Sequence, residues 1–324
     1  YGCGAKGDVI SFIQTIENLT FIEAIQKLSH HFSTNIKDSS ISKYSKIQKR
    51  LTKEWEYYVQ CFNEKIKEDT EYAKHIMNMG KKYFPHTVGY DEKNGYIVLP
   101  FTSKTGGILG FTKRIDKNER IKQPFFPRWK HSDLKYSLIS SCHNIFNLGM
   151  AYKKIKETCS VYIAEGPGDV AAMQRAKFLN TIAICGSENF SSKILELLYP
   201  LKRICLAMDG DETGRKATRN IISTILSLEP LLIEETYVIP MYDDEDPGCL
   251  TSDEIRERES NKVKALNWFI NNADSIETKN LYKNCRSEII KPKIISTVAK
   301  SKNFTIEQAR EWLGMQSSYP RKEL

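Results

Sequence analysis

Four acidic residues recur in one local context. Glu165 follows the apolar run Val161-Tyr-Ile-Ala, and Asp169 lies just beyond it. Asp209 and Asp211 follow a second run, Ile204-Cys-Leu-Ala-Met. Short apolar runs flanked by turn signals suit buried parallel strands. Each acid also precedes a helix-like pattern, and strand–helix alternation implies a parallel sheet with its sites at the carboxyl ends of the strands. Glu165, Asp209 and Asp211 should therefore gather at one edge of one sheet. Converging carboxylates repel one another and are tolerated where a hard cation neutralises them, and carboxylate oxygens are the ligands magnesium prefers. The plainer account makes each acid a helix cap or first-turn residue. It serves for any one of them, but poorly for the set in this order and spacing. Gly210 is expected to let the chain turn sharply between the two aspartates, and Gly166 and Gly214 to relieve crowding where helices begin.

The elements around these acids must hold them. The chain has 324 residues, 27% charged and 40% hydrophobic, which suits a soluble protein of two or three domains. No apolar run approaches the ~20 residues that span a membrane, and nothing resembles a signal peptide. The eight cysteines are scattered, with Cys185 and Cys205 inside apolar runs, as small buried hydrophobes of a reducing cytoplasm would be. The net charge of +8 permits a polyanionic partner. Acids cluster at the proposed ion site while basic residues spread over the rest, an arrangement suited to phosphate chemistry on nucleic acid.

Residues 1–32 carry two helical patterns, the second opened by a Thr20/Glu23 capping box. Residues 33–49, rich in Ser and Lys, read as a linker. Residues 50–79 read as a long helix that packs Trp55 and Tyr58 into a core and stops at Gly80. Gly95 to Phe101 and Ile108 to Ile115 read as paired strands about a Gly106-Gly107 turn. From Lys113 to Lys135, basic residues including Arg114, Arg128 and Lys130 interleave with Phe125, Phe126 and Trp129. Basic residues track phosphates and aromatics stack bases, so this segment is a candidate nucleic-acid contact. Helix follows from Ala217 to Leu228, then a fourth strand from Glu235 to Pro240 and the acidic run Asp243-Asp-Glu-Asp246. Residues 251–324 read as helical, with a Thr305/Gln308 capping box and a stop at Gly314.

Glu165-Gly166 with Asp169, followed by Asp209-Gly-Asp211-x-x-Gly214-x-Lys216-Ala217, resembles the TOPRIM module of DnaG-type primases, topoisomerases and some nucleases. The resemblance implies a Rossmann-like parallel sheet that binds magnesium or manganese. Gly2-Cys3-Gly-Ala-x-Gly7-Asp8 with the following Leu-x-Phe-x-Glu-Ala is similar to the end of the DnaG zinc ribbon, in which a second cysteine stands three residues before the one matching Cys3. That position falls before Tyr1, so the chain is expected to be cut inside a zinc-binding domain and to hold zinc through Cys3 only in a longer form. Arg114 matches the arginine that closes a family strand pair, and Lys135-Tyr136 resembles a family Lys-Tyr segment whose lysine lies near the catalytic centre. A basic stretch usual after it is missing before Ile145, a short form closer to phage and mobile-element primases. After the fourth strand the family carries an Asp-Pro-Asp element. Asp246 matches its first acid, Gly248 stands in place of the second, and Asp243 and Asp244 are both open as substitutes.

The fold expected is α/β: a Rossmann-like TOPRIM parallel sheet (151–250) flanked by a mixed α+β N-terminal lobe (50–150) and a helical C-terminal region (251–324). The function expected is that of a cytoplasmic DNA primase of a bacterium or phage-infected host. It would copy single-stranded DNA with ribonucleoside triphosphates, possess Asp209, Asp211, Glu165 and Asp246 as ligands of magnesium or manganese, and partner a replicative helicase. Glu165 is open between ligand and proton acceptor. Lys113, Arg114, Arg128, Lys130, Lys135 and Lys216 would hold nucleotide or template, Lys216 alternatively supporting the module itself. Two rivals remain: a TOPRIM nuclease, and a non-catalytic nucleic-acid-binding replication or defence factor with a degenerate site. No stretch offers the tyrosine nucleophile domain of a topoisomerase.

Overall fold

A computed structural model of the chain describes residues 13, 24, 27–28, 38–68, 88–115, 129–131, 145–186 and 190–315. The chain divides into two compact units, residues 1–153 and 154–324. Cys3, Thr20, Arg128 and Lys135, which carried sequence expectations, lie outside the described residues. So do Gly80 and the aromatic residues Phe125 and Phe126.

In the first unit, helix α1 (Asp38–Glu68) precedes strands β1 (Gly89–Asp91), β2 (Tyr96–Thr102), β3 (Ile108–Ile115) and β4 (Trp129–His131). The strands form one antiparallel sheet in that order. Leu51, Trp55 and Tyr58 recur at helical spacing and pack on Val98, Ile108 and Phe111 of the sheet. Trp55 stacks on Phe111 with ring centroids 6.0 Å apart and Tyr58 meets it edge-on, so these two α1 aromatics serve a core. The β2–β3 turn forms as expected, with the Ser103 amide donating to the Gly107 carbonyl at 2.8 Å. The linker reading of residues 33–49 needs correction, because α1 is helical from Asp38. Ser and Lys cost a helix little when they face water, and Lys46, Lys49 and Arg50 are exposed.

Lys113 also differs from expectation. Its ammonium donates to the Asp91 carboxylate at 3.0 Å and to the Tyr58 hydroxyl at 2.7 Å. It also lies 4.6 Å from the centre of the Tyr58 ring. Asp91 is only 4% exposed. Lys113 thus neutralises a buried acid beneath α1 and is not free to follow a phosphate. Lys113→Ala should destabilise the protein by about 3 kcal/mol, because it strands a buried carboxylate. Urea denaturation would measure this, and unchanged stability would return Lys113 to the surface contacts. Arg114 and Lys130 take their backbone places on β3 and β4, opposite Ile97 and Lys113 respectively.

Helix α2 (Leu148–Thr158) leads into the second unit, where β5 (Ser160–Ala164), α3 (Pro167–Arg175), β6 (Thr181–Ala183), α4 (Ser192–Leu198), β7 (Arg203–Ala207) and α5 (Glu212–Leu228) alternate. A 3-10 turn (Pro230–Glu235) precedes β8 (Thr236–Val238), and a second (Pro247–Cys249) precedes α6 (Ser252–Ser260). The chain continues through β9 (Val263–Lys264), α7 (Ala265–Asn272), α8 (Ser275–Asn284), α9 (Lys291–Lys302) and α10 (Ile306–Trp312). The sheet runs β6-β5-β7-β8-β9, parallel except for β9. This is the Rossmann-like sheet expected from the alternation of apolar runs and helices. Tyr162, Cys205 and Tyr237 stand side by side in register, and they pack with Met173 of α3 and Ile255 of α6. The C-terminal helices do not stand apart. Arg219 of α5 donates to the Asn272 carbonyl and pairs with Glu277 at 3.1 Å. Thr305 and Gln308 form the expected capping box. Among the described residues no helix is long and apolar enough to cross a membrane.

Candidate metal centre

Register decides where the acids fall. Ala164 of β5 pairs with Ala207 of β7, so Glu165 and Asp209 leave neighbouring strands at the same edge. Leu206 pairs with Val238, which brings the chain after β8 to that edge too. Asp211 then caps α5, its Oδ1 accepting the Gly214 amide at 2.7 Å. The helix-capping account is therefore correct for Asp211, and it orients the side chain.

Asp169 is held by two backbone amides. Its Oδ2 accepts from Gly166 at 2.8 Å and its Oδ1 from Gly248 at 3.3 Å. It thereby ties the loop after β5 to the turn that carries Asp246. Asp246 in turn accepts the Cys249 amide at 2.8 Å and the Cys249 thiol at 3.2 Å. Cys249 could not be read from the sequence, where an isolated cysteine carries no signal. Position 248 faces the acids: a β-carbon there would stand 2.8 Å from Asp246 Oδ1.

The two aspartates at 243 and 244 go elsewhere. Asp243 pairs with Arg215 at 2.8 Å and is 89% exposed at its side chain. Asp244 is exposed and has φ 61°. Lys216 is exposed on α5.

Burial pushes the Asp209 carboxyl up to about 8, with the charges of Asp169, Glu165, Asp246 and Asp211 adding to the shift. Burial likewise raises Asp169 to about 7, against the pull of the Gly166 amide. Glu165 is raised by burial and by Asp211. Glu165 Oε2 and Asp209 Oδ1 are buried without a hydrogen-bond partner. Such oxygens are costly unless a cation or proton satisfies them, and their hard chemistry fits a divalent ion. Among the described residues no three acidic, histidine or cysteine side chains already enclose an ion position.

These shifts carry a pH dependence. A carboxyl raised in the folded state binds a proton that the unfolded chain has released, so stability falls as pH rises. The metal-free protein should therefore lose stability between about pH 4 and pH 8, levelling off above the Asp209 value. Melting temperatures across that range with a chelator present would check it, and a rise with pH would contradict the buried carboxyls.

Strands β5 to β7 and the acids Glu165, Asp209 and Asp211 fall within one segment that a family model matches. The family model for the Toprim domain matches residues 160–234, and that for the CHC2 zinc finger matches residues 1–44. The chain is 27% identical over 268 residues to the DNA primase of Thermotoga maritima, covering 71% of this chain and 46% of that one. It is 24% identical over 276 residues to the DNA primase of Aquifex aeolicus, covering 73% of this chain and 54% of the relative. The chain thus spans about half the length of the curated relatives it matches. The fold matches the Aquifex aeolicus primase zinc-binding and RNA polymerase domains with a TM-score of 0.62 at 19% identity, covering 95% of this chain and 85% of that one. It matches a DnaG primase catalytic domain bound to single-stranded DNA with a TM-score of 0.53 at 16% identity, covering 74% and 79%. The resemblance to DnaG-type primases is borne out. The Toprim match implies divalent-metal binding and the CHC2 match implies zinc.

Proposed function

We propose that this chain is the RNA-polymerase part of a DNA primase, making short RNA primers on single-stranded DNA by metal-dependent nucleotidyl transfer. The observation that carries the reading is the edge formed by Glu165, Asp209 and Asp211, with buried unpartnered oxygens on Glu165 and Asp209. A CHC2 match in the same chain favours a primase over a nuclease, because that segment lies outside the module the two share.

Asp209 and Asp211 hold magnesium or manganese, with Asp246 as a further ligand. Magnesium or manganese held there would supply activation of the primer hydroxyl and charge stabilisation for the leaving pyrophosphate. Glu165 either completes the ligand set or accepts the hydroxyl proton. Asp169 positions Gly248 and, through it, Asp246. Arg114, Arg128, Lys130, Lys135 and Lys216 hold template or triphosphate, and Cys3 contributes to zinc where the other ligands are present. The partners are single-stranded DNA, ribonucleoside triphosphates and a replicative helicase, in bacterial or phage-infected cytoplasm. The short passage before Ile145 supports a phage or mobile-element type.

The test incubates the protein and Asp209→Ala with single-stranded DNA, labelled ribonucleotides and magnesium or manganese. Short RNA that disappears in the variant is the expected result. Asp209-dependent cutting of DNA without RNA would make the protein a nuclease. DNA binding with neither product would mark the site as degenerate, as the glycine at 248 permits.

A further inference from the structure

We propose that Arg215, acting with Asp243 and Glu245, is a clasp that sets the orientation of the Asp209–Asp211 turn. It is a positioning residue, neither an ion ligand nor a phosphate contact. The inference rests on the reading of Asp209 and Asp211 as metal ligands.

Gly210 lies between the two aspartates, and both its polar groups are held. Its amide donates to the Glu245 carbonyl at 2.7 Å. Its carbonyl accepts from Arg215 Nη1, and the same nitrogen donates to Asp243 Oδ1 at 2.8 Å. One guanidinium thus joins the turn to the chain that follows β8. That chain is anchored in its own right. Glu245 receives Arg258 at 3.0 and 3.1 Å and the Tyr242 amide at 2.9 Å. The Arg258 guanidinium lies 3.5 Å from the centre of the Tyr242 ring.

The acidic run therefore divides its labour. Asp243 and Glu245 close the clasp, and Asp246 alone turns towards Asp169 and Asp209. A hollow lined by Met208, Gly210, Thr218, Ile239, Trp268 and Asn272 adjoins the turn. Packed side chains do not fill that side, so the polar contacts carry more of the positioning. Groups that orient metal ligands typically change metal affinity by about 10- to 100-fold when removed.

The test is a manganese titration followed by electron paramagnetic resonance of free Mn2+, with melting temperature measured alongside. Arg215→Met should weaken Mn2+ binding about tenfold with unchanged stoichiometry, and Arg215→Lys should recover part of the loss. Asp243→Asn should weaken it less. The double variant Arg215→Met/Asp243→Asn should be no weaker than Arg215→Met alone, because both side chains act through one contact. Wild-type affinity in Arg215→Met, or losses that add, would overturn the clasp. If Arg215→Met does not fold, Asp243→Asn decides, since its side chain is exposed and nearly isosteric. Equal Mn2+ binding by wild type and Asp209→Ala would instead remove the metal reading, and the clasp with it.

Discussion

Asp209→Asn should abolish primer synthesis and Mn2+ binding while making the metal-free protein more stable at pH 8. Both effects come from one buried oxygen. Asp209 Oδ1 has no hydrogen-bond partner, and its carboxyl is pushed up to about 8 by burial and by four neighbouring acids. Ionising it without a cation costs stability, and a neutral amide of the same shape removes that cost. After a discount for partial exposure, the gain is about 1–2 kcal/mol, or a rise of several degrees in melting temperature. On the proposed reading the same change removes a ligand charge whose contribution to phosphoryl transfer would be several kcal/mol, so synthesis should fall by roughly a thousandfold or more. Activity that persists, or a melting temperature that drops, would separate Asp209 from the ion.

Gly214→Ala should be a severely damaging single-methyl change in the second unit. A β-carbon at 214 would stand 2.1 Å from the Asp209 carbonyl oxygen and 2.7 Å from its carbon. Both are backbone atoms at the end of β7, so nothing flexible can yield. Helix α5 would have to withdraw from the strand, taking its cap Asp211 with it. The expected loss exceeds about 3 kcal/mol, at the upper end for overpacking. Gly166→Ala is the control, because its β-carbon would meet only Asp169 Oδ2 at 3.5 Å, an ordinary contact. That variant should lose under about 1 kcal/mol. Thermal denaturation of the pair would check the contrast, and similar melting temperatures would refute it.

The legible parts of this protein were the local ones. Apolar runs announced β5 and β7 because a strand buried on both faces needs little else, and the acids after them inherited their places from register. The expectation for Gly210 was half right. The chain does bend there, but without a left-handed conformation, and glycine is needed because a β-carbon would lie 1.8 Å from the Tyr242 carbonyl oxygen. That contact joins segments far apart in sequence, so no local pattern could reveal it. Gly166, expected to relieve crowding, has ordinary room. Lys113 was misread for a similar reason: its partners Asp91 and Tyr58 lie 22 and 55 residues away. The helical stretch from Asp38 was hidden by composition, since Ser and Lys suit a linker and a solvent-facing helix alike.

The sheet of the second unit extends beyond the segment matched by the Toprim model, which ends at residue 234. Strand β8 begins at Thr236, and β9 covers its outer edge through Tyr237↔Lys264 and Val238↔Val263. The segment that the Toprim model matches and the sheet it belongs to thus have different borders. A chain trimmed after residue 250 would leave the amides and carbonyls of β8 open to strands of other molecules, the usual start of aggregation. Two residues of β9 thus close an edge that the rest of the sheet leaves open.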